Sequence, residues 1–210
     1  MKIKFVMILW LSLCSPSIWS QDEIGTKIPM VGDDAPGFIA ESTTGVLNFP
    51  ADYGSKWKIL FSHPRDFTPV CSSEILELAH MQKEFDKLNV KLVILSTDTL
   101  YAHVIWERAL EKVSYKGRSP VKLKFPMIDD NRLSVSRKYG MIHPNISTTK
   151  GVRGVFIIGP RNKIEAIFYY PMNIGRNMEE IKRIVIALQG ATDGKNPYLT
   201  QVNSSAKATM

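Results

Sequence analysis

Cysteine is almost missing from this chain: its 210 residues hold two, Cys14 and Cys71. Two other things are scarce. No apolar run beyond the first twenty residues reaches the roughly 20 residues a membrane-spanning helix needs. No block of basic residues interleaved with aromatics occurs either, although the formal net charge is +7. The lysines and arginines are dispersed among acidic residues, as in MQKEFDKL and EEIKRI, which describes a solvated, mildly basic surface and argues against nucleic-acid binding and stable membrane insertion. No CxxC pair is present, which argues against disulfide exchange of the dithiol kind: Cys71 is followed by Ser72, Ser73 and Glu74. The histidines His80, His103 and His143 lie far apart in the chain, and no other group shows metal-ligand spacing, so no metal or other cofactor is expected.

The N-terminus has the layout of a secretory signal peptide. Lys2 and Lys4 precede the run FVMILWLSLC, and polar and small residues follow to Ser20. Cleavage after Ser20 is expected, giving an exported protein, periplasmic or secreted; a competing reading makes Cys14 a lipid-bearing cysteine. Removal of residues 1–20 would leave 190 residues and, with Lys2 and Lys4 gone, lower the charge from +7 to +5. That length suits one domain, expected over 21–190, with a Ser/Thr/Asn/Gly-rich tail over 191–210. Exported proteins carry cysteines mostly in pairs. Here the same cut would leave Cys71 alone, so its thiol is either inert or the centre of the chemistry.

Strand-like and helix-like segments alternate from residue 57 onward. WKILFSH (57–63) reads as a buried strand, and SSEILELAHMQKEFDKL as an amphipathic helix with Ile75, Leu78, Ala79, Phe85 and Leu88 at helical spacing. VKLVILSTD (90–98) predicts a second buried strand and residues 100–113 a second helix. KFPMIDDNRLSVSRKYG predicts a short strand and a helix ended by Gly140. VRGVFII and KIEAIFYY flank GPRN, a hairpin signal. Asn177 and Glu180 form a capping-box pattern, opening a last helix that Gly190 closes. Parallel β-α-β units followed by an antiparallel hairpin predict an α/β fold with a mixed central sheet and helices on both faces.

The stretch FSHPRDFTPVCSSE (61–74) decides the function. With Thr68 as N-cap, Pro69 takes the first helical position and Cys71 the third. Free backbone N–H groups and the positive helix end there favour a thiolate over a thiol. A structural cysteine would sit on the apolar stripe, but the stripe begins at Ile75, and Cys71 follows a strand end, where α/β proteins place chemistry.

Pro64, Thr68 and Cys71 together resemble the Pro-x-x-x-Thr/Ser-x-x-Cys signature of the peroxiredoxins. WKILFSHPRDFTPVCSSE, NVKLVILSTD, FPMIDD, RGVFIIGP and YPMNIGRN are similar to the one-cysteine branch over roughly residues 28–190. The resemblance implies a thioredoxin-like fold and a thiol-dependent peroxidase. Cys71 would attack the hydroperoxide and become a sulfenic acid, Thr68 would hydrogen-bond thiolate and peroxide, Pro64 would shield the sulfur, and Arg153 would stabilise charge. His63 is similar to the branch's histidine near the sulfur, or is a core histidine bonded at a strand end. Glu74 and Arg176 resemble a bracing pair. With no second cysteine left after cleavage, the reductant would be an external thiol, glutathione or a redoxin. A homodimer or larger homo-oligomer is implied. The alternative is a peroxide sensor or holdase-type oligomer without sustained turnover. The positions tied to a phospholipase activity in some relatives hold Lys56 and Pro50 here, with Ser55 out of register, so that activity is not expected. Sequons stand at Asn145 and Asn203, of consequence only on a eukaryotic secretory route.

Overall fold

The computed structural model describes residues 28–192. The expected leader 1–20, Cys14, Asn203 and most of the expected tail lie outside the described residues.

Long β-branched and aliphatic runs make the centre. β3 (Trp57–Ser62), β4 (Val90–Ser96) and β5 (Met127–Asp129) run parallel, while β6 (Arg153–Ile158) and β7 (Ile164–Tyr170) are antiparallel additions. The sheet order is β5-β4-β3-β6-β7. Every residue of β3 and β6 is buried, as continuous apolar strands covered on both faces require. α1 (Pro69–Lys87) and α2 (Leu100–Leu110) are the two crossovers between parallel strands. Both crossovers turn the same way, so both helices bury residues in one core with Ile59, Phe61, Leu92 and Ile94. α4 (Met178–Thr192) adds Met178, Ile181 and Val185 to that core. The other sheet face is covered by a hairpin of β1 (Phe38–Ala40) and β2 (Leu47–Phe49), by α3 (Ser134–Lys138) and by Tyr139. The mixed sheet flanked by helices is the expected one.

Several boundaries differ from the sequence expectation. β4 ends at Ser96 rather than 98, because Ser96 Oγ and Asp98 turn the chain back on itself through a 2.9 Å hydrogen bond. α2 ends at Leu110 rather than 113: Lys112 and Val113 bond three residues back, to Ala109 and Leu110, so the last turn is too tight to be α-helical. α4 runs through Gly190 to Thr192, whose hydroxyl donates to the Leu188 carbonyl at 2.9 Å. The β1–β2 hairpin was not expected at all, since three-residue strands are too short to show periodicity. In the β6–β7 turn the left-handed residue is Asn162, at φ 58°, and not Gly159.

Gly140 does end its helix as expected, at φ 65°. A Cβ there would also come to 2.5 Å from the Ile28 side chain. Gly140→Ala is expected to lower the unfolding free energy by about 1–2 kcal/mol in urea titration, the cost of a left-handed non-glycine residue. An unchanged midpoint would contradict that account.

Candidate active site

Thr68 and Pro69 start α1 as the residue types require: Thr68 is extended at φ −96° and ψ 148°, and Pro69 is the first helical residue. Cys71 therefore sits in the first turn, 1% exposed, at the C-terminal end of β3. Thr68 does not cap with its side chain. Its hydroxyl donates to the Arg65 carbonyl at 3.1 Å instead of pointing its proton at the sulfur. That uses the one donor and leaves the oxygen lone pairs free to accept. Pro64, also buried, and Phe67, at φ 57° and 56% exposed, complete the loop between β3 and α1.

Across the sheet, β6 delivers Arg153, 82 residues away in sequence, with Nη1 at 3.3 Å from Cys71 Sγ. The guanidinium is fixed at three further points: Nη1 donates to Glu74 Oε2 at 2.6 Å, and Nε and Nη2 donate to the Met172 carbonyl at 2.9 and 2.7 Å. Glu74 lies one helical turn beyond Cys71 on α1. Its carboxylate also accepts from Arg176 N, Nε and Nη2 at 2.7, 2.9 and 2.8 Å. Arg176 is wholly buried, donates to the Ser62 and Gly154 carbonyls at 2.7 and 3.0 Å, and stacks 3.4 Å from the Phe61 ring centroid. Burial pushes the Glu74 carboxyl up, but the hydrogen bonds and charge of Arg176, with the charge of Arg153, outweigh it and hold Glu74 below the usual carboxylate range. Two guanidiniums and one carboxylate leave one positive charge buried beside the sulfur. An anionic sulfur neutralises it.

His63 does not stand in this cluster. Its Nε2 donates to Asp66 Oδ1 at 2.7 Å, the geometry of a core histidine bonded at a strand end. His103 on α2 reaches the other oxygen of Asp66 with Nδ1 at 2.7 Å and the Ile128 carbonyl with Nε2 at 3.0 Å. The sequence shows no group with metal-ligand spacing, yet folding brings ligand atoms of His63, Asp66 and Asp98 within 4.8 Å of one another. Their oxygens are committed elsewhere. Asp66 serves two imidazoles, and Asp98 accepts from Asp66 N, Ser96 Oγ and Lys150 Nζ at 2.7, 2.9 and 2.9 Å. Every carboxylate oxygen of the cluster is already hydrogen-bonded. Asp66 and Trp106 were missed in the sequence. Trp106 donates to the Ser72 hydroxyl at 3.3 Å and packs on the His63 and Phe67 rings, and its i, i+3 spacing from His103 on one helix was the available signal.

Comparison with known proteins identifies the class this geometry defines. The AhpC/TSA family model matches residues 31–167. A peroxiredoxin of Methanosarcina mazei is 53% identical over 163 residues, 77% of this chain and 74% of the relative. Bovine peroxiredoxin-6 is 42% identical over 165 residues, 76% of this chain and 73% of its own length. Among solved structures, the yeast mitochondrial 1-Cys peroxiredoxin superposes with a TM-score of 0.73 at 38% identity, covering 83% of this chain and 84% of the other. Peroxiredoxin 6 of Arenicola marina, in a cysteine-to-serine form, gives 0.70 at 36% identity over 78% and 74%. The chain belongs to the AhpC/TSA family of peroxiredoxins. Its thioredoxin-like fold and single described cysteine make it a thiol-dependent peroxidase of the one-cysteine type.

Glu74→Gln removes the only carboxylate between two buried guanidiniums and is expected to cost about 3–5 kcal/mol of stability, checked by chemical denaturation at pH 7. The sign with pH follows from the lowered Glu74 value. Its contribution is complete above the unfolded carboxylate value of about 4.3 and drains away as pH falls through the lower folded value. The difference between wild type and Glu74→Gln should therefore narrow in acid. A gap that widened below pH 4 would refute the assignment.

Proposed function

We propose that Cys71 is the peroxidatic nucleophile and that Arg153, Thr68 and Pro64 are its partners. The observation that carries this is the Arg153 guanidinium 3.3 Å from Sγ, pinned on its other sides by Glu74 and the Met172 carbonyl. The thiolate attacks the terminal oxygen of a hydroperoxide: the S–O bond forms, the O–O bond breaks, and the departing oxygen leaves as alkoxide or hydroxide and takes a proton from water. Cys71 becomes a sulfenic acid. Arg153 supplies donors to the oxygen on which charge develops. Thr68, its own proton spent on Arg65, offers lone pairs that accept the hydrogen of the incoming O–OH. Donor on one side and acceptor on the other orient the peroxide for in-line attack. Pro64, which has no N–H to solvate, excludes water from the sulfur.

Cys71 is the only cysteine among the described residues, so resolution uses an external thiol. One thiol displaces water from the sulfenic acid to give a mixed disulfide, and a second releases reduced Cys71. The yeast mitochondrial relative, whose resolving mechanism is described as operating via glutathione/thioredoxin systems, supports either reductant here. Export, as periplasmic or secreted protein, is supported by Lys2 and Lys4 ahead of the apolar run to Cys14. Association into a homodimer or larger homo-oligomer is supported by β7, which is last in the sheet order and whose outer edge, among the described residues, is bonded only at Ile164, to Gly32 and Asp33, and by exposed Tyr101 and Phe67.

Cys71→Ser is expected to abolish peroxide consumption in a thiol-coupled assay, and Arg153→Ala to slow Cys71 oxidation about 10²–10³-fold, the usual loss of a transition-state donor, with the far-UV spectrum kept. Sustained consumption by Cys71→Ser would sink the reading.

A further inference from the structure

The second buried network, His63–Asp66–His103, touches no reacting atom, yet it is built around the loop that carries Cys71. Asp66 lies between Pro64 and Thr68. Through it the loop is tied to α2 and, by way of His103 Nε2, to the Ile128 carbonyl of β5. Three residues along α2, Trp106 donates to the hydroxyl of Ser72, the residue after Cys71. One helix thus holds the approach to the sulfur at two points, while β6 presents Arg153 from the opposite side.

The proton inventory of this clasp is fixed by its partners. The Ile128 carbonyl can only accept, so His103 Nε2 carries a hydrogen. Nδ1 faces a carboxylate oxygen at 2.7 Å, and a proton must lie between them, because two lone pairs would repel at that distance. His63 donates to the remaining oxygen through Nε2, and its Nδ1 is buried without a partner, which is the neutral tautomer. Burial pushes the His63 imidazole down, in keeping with a neutral ring. Burial pushes the Asp66 carboxyl up, but the hydrogen bonds from His103 and His63 outweigh it and hold Asp66 low. The charged groups facing the network are Asp98 with Lys150 on one side, Arg176 toward His63, and Glu107 of α2 toward His103.

From this geometry we propose that Asp66 and His103 are positioning residues for the peroxidase step, seating Cys71 against Arg153 through a clasp that requires a hydrogen-bond donor on α2 facing Asp66. Where position 103 offers Asp66 no donor, the loop is released from α2 and the 3.3 Å approach of Arg153 to the sulfur is lost.

The proposal rests on Cys71 as nucleophile, and two substitutions separate it from that reading. The amide nitrogen of asparagine replaces imidazole Nδ1, whereas that of glutamine replaces Nε2. His103→Asn therefore keeps the donor to Asp66, and His103→Gln keeps only the bond to Ile128. The experiment follows single-turnover oxidation of Cys71 by hydrogen peroxide in stopped flow on full-length protein, with far-UV spectra recorded for each variant. Expected are a near wild-type rate in His103→Asn and a rate at least 10-fold lower in His103→Gln, with the fold kept in both. A His103→Gln rate equal to wild type overturns the proposal, and so does a loss in His103→Gln that His103→Asn does not rescue. Asp66→Asn, which offers the two imidazoles one acceptor fewer, must slow the step as well, and a wild-type rate in it overturns the proposal whether or not either His103 variant folds. Activity surviving in Cys71→Ser would instead remove the underlying nucleophile assignment.

Discussion

The site depends on a charge imbalance kept inside the protein. Arg153 and Arg176 are both buried, and Glu74 alone cannot neutralise them. Burying one uncompensated cation is costly, and isolated ion pairs in a low-dielectric interior seldom repay their desolvation unless the remaining donors are satisfied. Here they are satisfied: carbonyls of Ser62, Gly154 and Met172 take the guanidinium hydrogens that Glu74 does not. The leftover positive charge faces Sγ at 3.3 Å. The fold therefore stores, in the resting state, an electrostatic demand that a sulfur anion meets, and in the proposed peroxidase step the same guanidinium is already aimed at the leaving oxygen.

That demand is met only because three separate elements converge. β3 ends where α1 begins, so Cys71 and Glu74 share one helical turn. β6, antiparallel to β3, brings Arg153 back alongside with Val155 opposite Phe61. The segment ahead of α4 supplies Arg176, whose side chain returns over the Phe61 ring to Glu74. The contacts of Arg153 and Arg176 with Cys71 and Glu74 span roughly 80 residues or more of chain, so the cluster forms only when the sheet does. Sheet packing and reactivity are one requirement, which is why disrupting Glu74 is a stability question as much as a catalytic one.

Much of this could be read in the residues. Pro69 after Thr68 located the start of α1 within a residue, since proline at the first helical position is a local rule. The strands were visible in WKILFSH (57–63) and VRGVFII (152–158) as short, largely apolar runs, of the kind covered strands show. What stayed hidden was of two kinds. The β1–β2 hairpin is too short for periodicity to register, and it exists because the second sheet face needs cover, a tertiary cause. Asp66 and His103 each look like ordinary surface chemistry in the sequence, a turn aspartate and a helix histidine. Their pairing at 2.7 Å arises from right-handed crossovers placing α2 over the β3–α1 loop, and no local pattern encodes that. Thr68 was found by its position and misread in its bonding, because a hydroxyl chooses among acceptors by a rotation that sequence leaves open.

The two sides of the sulfur are held with unequal strength, and this bears on how a buried thiol meets a reductant from another molecule. On the Arg153 side every contact is charged or doubled. On the loop side the charged holds all converge on one residue, Asp66, through His63, His103 and its backbone N–H to Asp98, while Thr68 adds a single neutral bond and Trp106 a 3.3 Å contact; Phe67 sits among them in a left-handed conformation that costs about 1–2 kcal/mol. Strain adds to whatever favours opening, and Phe67 already stands 56% exposed. On the proposed chemistry, the path of least resistance to a sulfenic acid at position 71 therefore runs past Phe67, leaving Arg153 and Glu74 in place. A site opened in this way keeps its positive charge beside the sulfur, where an approaching thiolate needs it.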